Sequence, residues 1–221
     1  ERLKALVEKY ATLFEDNGTP ADIPMDLWMT VPIKEGHEFP KRVKTYSQTD
    51  ASKQVIDETF DKLHAQGRME WSTRHTPTAY PVFVVWTDKV VDGKIKRKGR
   101  VVVDLRTLNE ISQPDLYPVQ QQDDLLMKIS GKKFISAMDA ASFFYQFRVQ
   151  PKHRHKMAVI SHRGQEIFRV AIMGYLNSVA YVSRMMANIL RGLDFVVVYI
   201  DDIVVYSDSL EQHLEHLVLF K

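Results

Sequence analysis

Apolar and polar positions along the chain recur with two different periods, and the switches between them divide the sequence into elements. Leu3, Leu6, Val7, Tyr10, Leu13 and Phe14 fall at helical spacing, so a helix is expected over residues 1–16. From Asn17 to Ser47, proline and glycine break every period, and an extended, irregular segment is expected. Asp50 reads as the cap of a helix whose apolar face is Ile56, Phe60 and Leu63 and which ends at Gly67. Residues 80–86 and 100–105 read as strands joined by a basic loop through Asp92-Gly93 and Lys98-Gly99. Leu125, Leu126 and Ile129 suggest a short helix stopped by Gly131, followed by a strand over 134–138 that ends on Asp139. A turn through Ser142, a strand holding Phe147 and Val149, and two strands near 157–160 and 167–172 lead to Gly174.

The helix that begins at Asn177 or Ser178 carries Val179, Val182, Met186 and Ile189 on one face, a core-packing stripe, and closes at Gly192. Residues 195–198 and 203–206 then read as a hairpin. Ser209 and Gln212 have capping-box spacing for a last helix with Leu210, Leu214 and Leu217. Strands and helices interleave without βαβ regularity, which points to an α+β fold.

At 221 residues the chain can bury the core of one large domain or two small ones. No apolar run is long enough to span a bilayer and no signal peptide opens the chain, so an intracellular protein, cytoplasmic or nuclear and without a membrane partner, is expected. The absence of cysteine excludes disulfides, thiolate zinc sites and cysteine nucleophiles. A first residue of Glu1 rather than Met suggests a piece of something longer.

Net charge is only +2, but its distribution is uneven. Glu8, Glu15, Asp16, Asp22 and Asp26 make the first 36 residues acidic, whereas Lys89, Lys94, Lys96, Arg97, Lys98, Arg100 and Arg106 form a basic stretch. A second basic cluster is Lys152-His153-Arg154-His155-Lys156. Such clusters suit a phosphate-bearing substrate; a solvated lysine-rich hairpin reads equally well from either one alone.

Candidate chemistry concentrates at Asp201-Asp202, two adjacent carboxylates between runs of β-branched and aromatic residues. At a hairpin tip they repel each other and lose solvation, so a cation, most simply a divalent metal, would compensate them. Taken alone, an Asp-Asp turn is more often just a solvated turn. The second apolar run ending on a carboxylate, Asp139, changes that: one acid at a strand end and two at a hairpin tip are what two-metal phosphoryl transfer needs.

Four segments in order resemble a known family: Arg100-Val-Val-Val-Asp104-Leu-Arg106-Thr-Leu-Asn109, Met138-Asp139-Ala-Ala-Ser142-Phe-Phe-Tyr-Gln146, Met173-Gly174-Tyr-Leu-Asn177-Ser-Val-Ala180 and Tyr199-Ile-Asp-Asp202. They look like the reverse transcriptase of gypsy-type long-terminal-repeat retrotransposons, nearest the fungal lineages. The resemblance implies a polymerase right-hand fold with fingers and palm, an antiparallel palm sheet packed on helices, and no thumb. Its segments would be a lead-in over 1–48, fingers over 49–133 with some palm interleaved, and a palm over 134–221.

It further implies that Asp139 and Asp201, supported by Asp202, hold two Mg²⁺ ions, with Mn²⁺ as a substitute. Arg100 would grip the nucleotide phosphates, Phe144 would be the aromatic gate beneath the sugar, and Phe143 and Met173 would border the nucleotide. Asp104 and Arg106 would lie near the template. Implied partners are an RNA or DNA template-primer and deoxynucleoside triphosphates. The ordinary alternatives stand beside these roles: Arg106 pairing with Asp104, and Phe144 in the core.

Several positions depart from the family pattern. Phe143 stands where Gly or Ala is usual, and Ile172-Met173 replaces a turn that usually holds proline. Leu176, Val179 and Ser183 replace Lys, Pro and Gln. Lys221 falls just after the hairpin, so the primer grip and thumb would be missing, leaving a surface for a protein partner. A domesticated, catalytically inactive relative acting as a protein- or nucleic-acid-binding scaffold is therefore the alternative to a polymerase fragment.

Overall fold

The computed structural model describes residues 1–16, 18–40, 43–91 and 94–220. In chain order the elements are α1 (Arg2–Lys9), α2 (Asp50–Ala65), β1 (Met69–Trp71), β2 (Tyr80–Val91), β3 (Lys94–Val103), α3 (Arg106–Ile111) and α4 (Gln122–Ile129). There follow β4 (Phe134–Asp139), β5 (Ala158–Ser161), β6 (Gly164–Phe168), α5 (Ser178–Ile189), β7 (Val196–Tyr199), β8 (Asp202–Ser207) and α6 (Leu210–Phe220). Two compact units result, one of Glu1–Asn17, Asp115–Phe143 and Val179–Lys221, the other of Gly18–Pro114 and Phe144–Ser178. The contiguous segments 1–48, 49–133 and 134–221 expected from sequence differ from this division. Residues 144–178 supply β5 and β6, which hydrogen-bond into the sheet of β1 and β2 and so cluster with 18–114.

The larger unit is built on a five-stranded sheet in the order β1-β6-β5-β2-β3, antiparallel except for β2 beside β5. Ile56, Phe60 and Leu63, the predicted stripe of α2, are buried, and Phe60 meets Phe168 edge to face. The helix cap is Thr49 rather than Asp50, since the Thr49 hydroxyl accepts the Ser52 N–H. A buried polar group sits here too: Glu166 is bonded by His64 at 2.9 Å and by Arg163 at 3.2 Å.

Two expectations change in this unit. The basic run is strand rather than loop, because β2 and β3 pair without interruption from Val82↔Val103 to Val91↔Lys94. The Asp92-Gly93 turn lies outside the described residues. The strand expected at Phe147 and Val149 reduces to isolated bridges, Arg148 to Val170 and Met29 to Val149, preceded by a 3₁₀ turn over Phe143–Gln146. The basic cluster 152–156 also has structural work. His153 Nδ1 accepts the Val31 N–H at 2.6 Å, and Lys156 Nζ donates to the Val31 carbonyl at 2.7 Å.

The smaller unit holds a three-stranded antiparallel sheet in the order β4-β8-β7. α6 packs on it through a hydroxyl–imidazole chain in which His213 joins Ser136 at 2.8 Å and Ser207 at 3.0 Å. The capping box of α6 forms: Ser209 Oγ accepts the Gln212 N–H, while the Gln212 side chain reaches back to the Asp208 N–H. The helix expected over 1–16 stops at Lys9 and gives way to a 3₁₀ turn over Ala11–Phe14. No helix among the described residues is long and apolar enough to cross a membrane. The chain end at Lys221 lies outside the described residues.

Candidate active site

The three acids singled out from sequence fall together at one end of the three-stranded sheet. Asp139 closes β4 and Asp202 opens β8, and the antiparallel register makes them direct cross-strand partners. Asp202 is also the partner of Tyr199 in β7, so the hairpin turn consists of Ile200 and Asp201. This corrects the expected tip: Asp202 already belongs to the strand. The Asp201 carbonyl accepts the Ala140 N–H at 2.9 Å, which ties the turn to the residue after Asp139.

Backbone strain marks the same place. Ile200 has φ +58° and Ser142 has φ +53°, the two non-glycine residues with positive φ among those described. A two-residue hairpin turn demands positive φ at its first central position, normally from glycine. A β-branched residue there costs on the order of 1–2 kcal/mol, which persists only where the surroundings over-determine it. Ser142 is held by its hydroxyl, which donates to Asp16 at 2.9 Å. Behind the hairpin, a cavity of about 210 Å³ is lined by Tyr117, Lys128, Ser183, Met186, Leu190 and Ile200.

Asp139 and Asp202 are exposed and Asp201 half-buried, and none of the three has an ion pair among the described residues. Cross-strand like charges are destabilising unless a counter-cation is supplied. Their donors are hard carboxylate oxygens, the set that suits Mg²⁺ or Mn²⁺, and in that respect the residues fit a divalent metal. Among the described residues no group of three or more His, Cys, Asp or Glu side chains converges closely enough to hold an ion.

The remaining predicted residues divide between the two units. Phe143, in the unit of the acids, and Phe144, in the larger unit, are both buried, at 6% and 8% exposure. In the larger unit, Arg100 stands opposite Val85 on the exposed hairpin of β2 and β3, on the face shared by Lys96 and Lys98. The opposite face is occupied: Gly99 approaches Val55 of α2 and Val84 so closely that a Cβ would meet their methyl groups at 3.0 Å. Lys96, Lys98 and Arg100 therefore form an exposed cationic face, and Arg100 makes no ion pair among the described residues.

Asp104 and Arg106 behave differently. Arg106 binds Asp104 through two nitrogens, Nε at 2.9 Å and Nη2 at 2.7 Å, and the Tyr46 hydroxyl donates to Asp104 at 2.6 Å. The Arg106 guanidinium, followed by the Tyr46 hydroxyl, holds the Asp104 carboxyl far below the usual carboxylate range. The bond to Asp104 in turn raises the Tyr46 phenol. The pairing of Arg106 with Asp104 considered from sequence is thus present, and it leaves the Arg106 side chain 79% exposed.

Met173 is exposed on the turn before Gly174. That turn is held by a residue sequence reasoning assigned no role: Asn109 Nδ2 donates to the Gly174 carbonyl, and Asn109 Oδ1 accepts the Leu176 N–H, each at 2.8 Å. Its position at the end of the Arg100–Asn109 segment was the available signal.

Comparison with known proteins places this geometry in context. Residues 89–221 match the family described as reverse transcriptase (RNA-dependent DNA polymerase). The retrovirus-related Pol polyprotein from transposon 297 of Drosophila melanogaster is 30% identical over 99% of this chain, which spans 20% of that protein. An RNA-directed DNA polymerase homolog of Oenothera berteroana is 34% identical over 53% of this chain and 87% of its own length. Among solved structures, the foamy viral protease-reverse transcriptase in complex with RNA/DNA hybrid superposes with a TM-score of 0.81. It is 21% identical, with 99% of this chain and 28% of that one covered, and at that identity the likeness concerns the fold.

Proposed function

The chain belongs to the reverse transcriptase family, and from that premise we propose that it is the fingers-and-palm portion of an RNA-directed DNA polymerase from a gypsy-type retrotransposon polyprotein. The observation that carries the reading is the cross-strand pair Asp139 and Asp202 with Asp201 in the adjoining turn, none of them neutralised by a described cation.

The reaction joins a primer 3′-hydroxyl to the α-phosphorus of a deoxynucleoside triphosphate and releases pyrophosphate. Asp139 and Asp201, with Asp202 beside them, would hold Mg²⁺, or Mn²⁺ in its place. When bound, the metal supplies Lewis-acid stabilisation of the phosphoryl oxygens and of the attacking oxygen. The residues of the chain do the positioning. Arg100, uncommitted on its exposed face, is suited to pair with the triphosphate, since guanidinium–phosphate pairs are charge-assisted and directional. Arg106, already oriented by Asp104, presents its remaining N–H groups to the template strand. Phe143, Phe144 and Met173 are each assigned a nucleotide contact, and Asn109 is assigned to holding the turn that carries Met173. The template is an RNA or DNA strand, as suggested by the hybrid bound to the foamy viral relative. The departures at Leu176, Val179 and Ser183 motivate the scaffold alternative, and the similarity to reverse transcriptases does not favour it.

Thermal unfolding with Mg²⁺ or Mn²⁺ and a deoxynucleoside triphosphate tests the reading. Ligand at a hundredfold excess over Kd stabilises the chain by about 2.7 kcal/mol, and Asp139→Asn/Asp201→Asn abolishes the effect. Equal stabilisation of both proteins, or of neither, refutes it.

A further inference from the structure

Four arginines of the larger unit, Arg68, Arg148, Arg154 and Arg169, line one small cavity together with Gly67. Arg68 comes from a distant part of the chain and is joined to the segment of the other three by backbone bonds. The Arg169 N–H donates to the Arg68 carbonyl at 2.9 Å and the Val149 N–H to the Arg169 carbonyl at 2.8 Å. Arg148 bridges Val170 in the same arrangement.

The guanidinium groups are oriented as well as gathered. Arg68, 3% exposed, lies 5.9 Å over the ring of Tyr145, and Arg148 lies 5.0 Å over the ring of Trp28. Arg154 engages the Val149 carbonyl through Nε at 3.2 Å, and Arg169 engages Glu70 through Nε at 3.5 Å. Arg169 Nη1 reaches over Gly67, 4.0 Å from where a Cβ would stand. Arg148, Arg154 and Arg169 thus contact their neighbours by a ring face or by Nε, and their terminal N–H groups have no bond among the described residues.

Charge is out of balance here. For Arg148, Arg154 and Arg169, Glu70 is the one carboxylate in ion-pair range among the described residues. Burial, and then the charge of Arg169, act against the Arg154 cation; Glu70 offsets part of this and Arg148 adds to it. Converging, partly desolvated cations of one sign are costly without a counter-anion. The cavity volume of about 30 Å³ has room for roughly two waters, which also suits one tetrahedral oxyanion and excludes a base or a sugar.

We propose that this cavity binds a single phosphate dianion, either free or at the terminus of a nucleotide or oligonucleotide. Forked guanidinium donors match phosphate oxygens bidentately, and the excess positive charge matches a dianion. None of the four arginines is assigned to nucleotidyl transfer, so the inference does not rest on that reading.

The test is thermal unfolding in EDTA at constant ionic strength, with chloride replaced by inorganic phosphate. A hundredfold excess over Kd raises the Tm by about 5–10 °C, and sulfate, of the same shape and charge, does likewise. The rise is lost in Arg148→Gln/Arg169→Gln and kept in Asp139→Asn/Asp201→Asn, which separates this site from the acids. A nucleoside 5′-monophosphate and a 5′-phosphorylated oligonucleotide, each against its unphosphorylated form, distinguish the sources of the phosphate group. Should the double variant unfold, broadening of the ³¹P signal of phosphate by the parent chain but not by Arg148→Gln, at an exposed position, serves instead. An equal Tm rise in chloride, a rise that survives the double variant, or a ³¹P signal indifferent to Arg148 overturns the proposal.

Discussion

Asp104 and the trio Asp139, Asp201 and Asp202 are carboxylates at strand ends, and the protein treats them in opposite ways. Asp104, just past β3, is enclosed by a bidentate arginine and a tyrosine hydroxyl and has its charge fully answered within its own unit. Asp139 of β4 and Asp202 of β8 are set directly across from one another, and Asp201 lies in the turn beside the strained Ile200, with no described cation to answer them. A satisfied carboxylate orients its partner. Three carboxylates without a described counter-cation, one of them beside a strained residue, are what the proposed metal binding would require. The difference separates positioning from chemistry more sharply than residue type alone.

The largest expected effect is on activity. Asp139→Asn should lower metal-dependent primer extension by about 10²–10³-fold or more, the scale of losing one strong electrostatic contact to the transition state. Steady-state incorporation measured on the variant and its parent decides this, and near-normal kcat would make Asp139 as ordinary as any surface acid. The next effect is on stability. Asp104→Asn should destabilise by about 1–3 kcal/mol, because it leaves the bonded Arg106 and Tyr46 groups without their charged acceptor. Urea unfolding measures it, and a change within about 0.5 kcal/mol would show that the cluster is only a surface ion pair.

The contrast also has a pH signature. Because the folded-state pKa of Asp104 is depressed, its contribution is complete above the unfolded value near 3.9 and is lost as pH falls through the strongly acid range. Arg106→Ala should flatten that loss. His153 gives a second, separate window. Burial, then Lys156, Lys152 and His155, push its pKa down to about 4, and its Nδ1 must stay unprotonated to accept the Val31 N–H. The unfolded chain binds the proton near pH 6.5 and the folded chain does not, so stability should fall as pH drops from about 6.5 to 4. Denaturation midpoints from pH 3 to 7 should show the upper slope reduced in His153→Gln and the lower one in Arg106→Ala. Slopes unchanged in both variants would remove these two groups from the account of acid stability.

How much of this was legible in the sequence follows from how local each interaction is. The apolar face of α2 and the α6 capping box could be read because each is set within a few residues, and each acid because it ends its own apolar run, although their pairing spans 63 residues. The α5 stripe was read only in part: Val182 is buried, but Ile189 is 55% exposed and Ala180, Tyr181 and Met185 are buried instead. The basic run was misread as a loop although Lys94, Lys96, Lys98 and Arg100 recur every second residue, the period of a strand; high polarity masked it because one whole face of the hairpin is exposed. α3 was missed because its six residues make fewer than two turns, too few to show a repeating face. The partners of Asp104 and His153 could not be read at all: Tyr46 is 58 residues from Asp104, and Val31 is 122 from His153. The four-arginine cavity is of the same kind. Arg154 stood out in its cluster, but only the chain's path brings it beside Arg68 and Arg169.

The smallest predicted effect is the one that tests the comparison most directly, because it changes sign. If Asp139 and Asp202 repel across the strands without metal, then Asp139→Asn should stabilise the chain in EDTA by a few tenths of a kcal/mol, up to about 1, as for like charges set directly opposite in a sheet. Asp104→Asn, the same chemical change at another strand end, should destabilise under identical conditions. Adding Mg²⁺ should erase or reverse the gain at Asp139, since the parent chain then recovers the cation its acids lack. Urea unfolding of both variants, with and without Mg²⁺, gives the comparison in four measurements. Two shifts of the same sign in EDTA would mean that the trio is no less satisfied than Asp104, and the distinction between a positioning carboxylate and a binding one would fail in this chain.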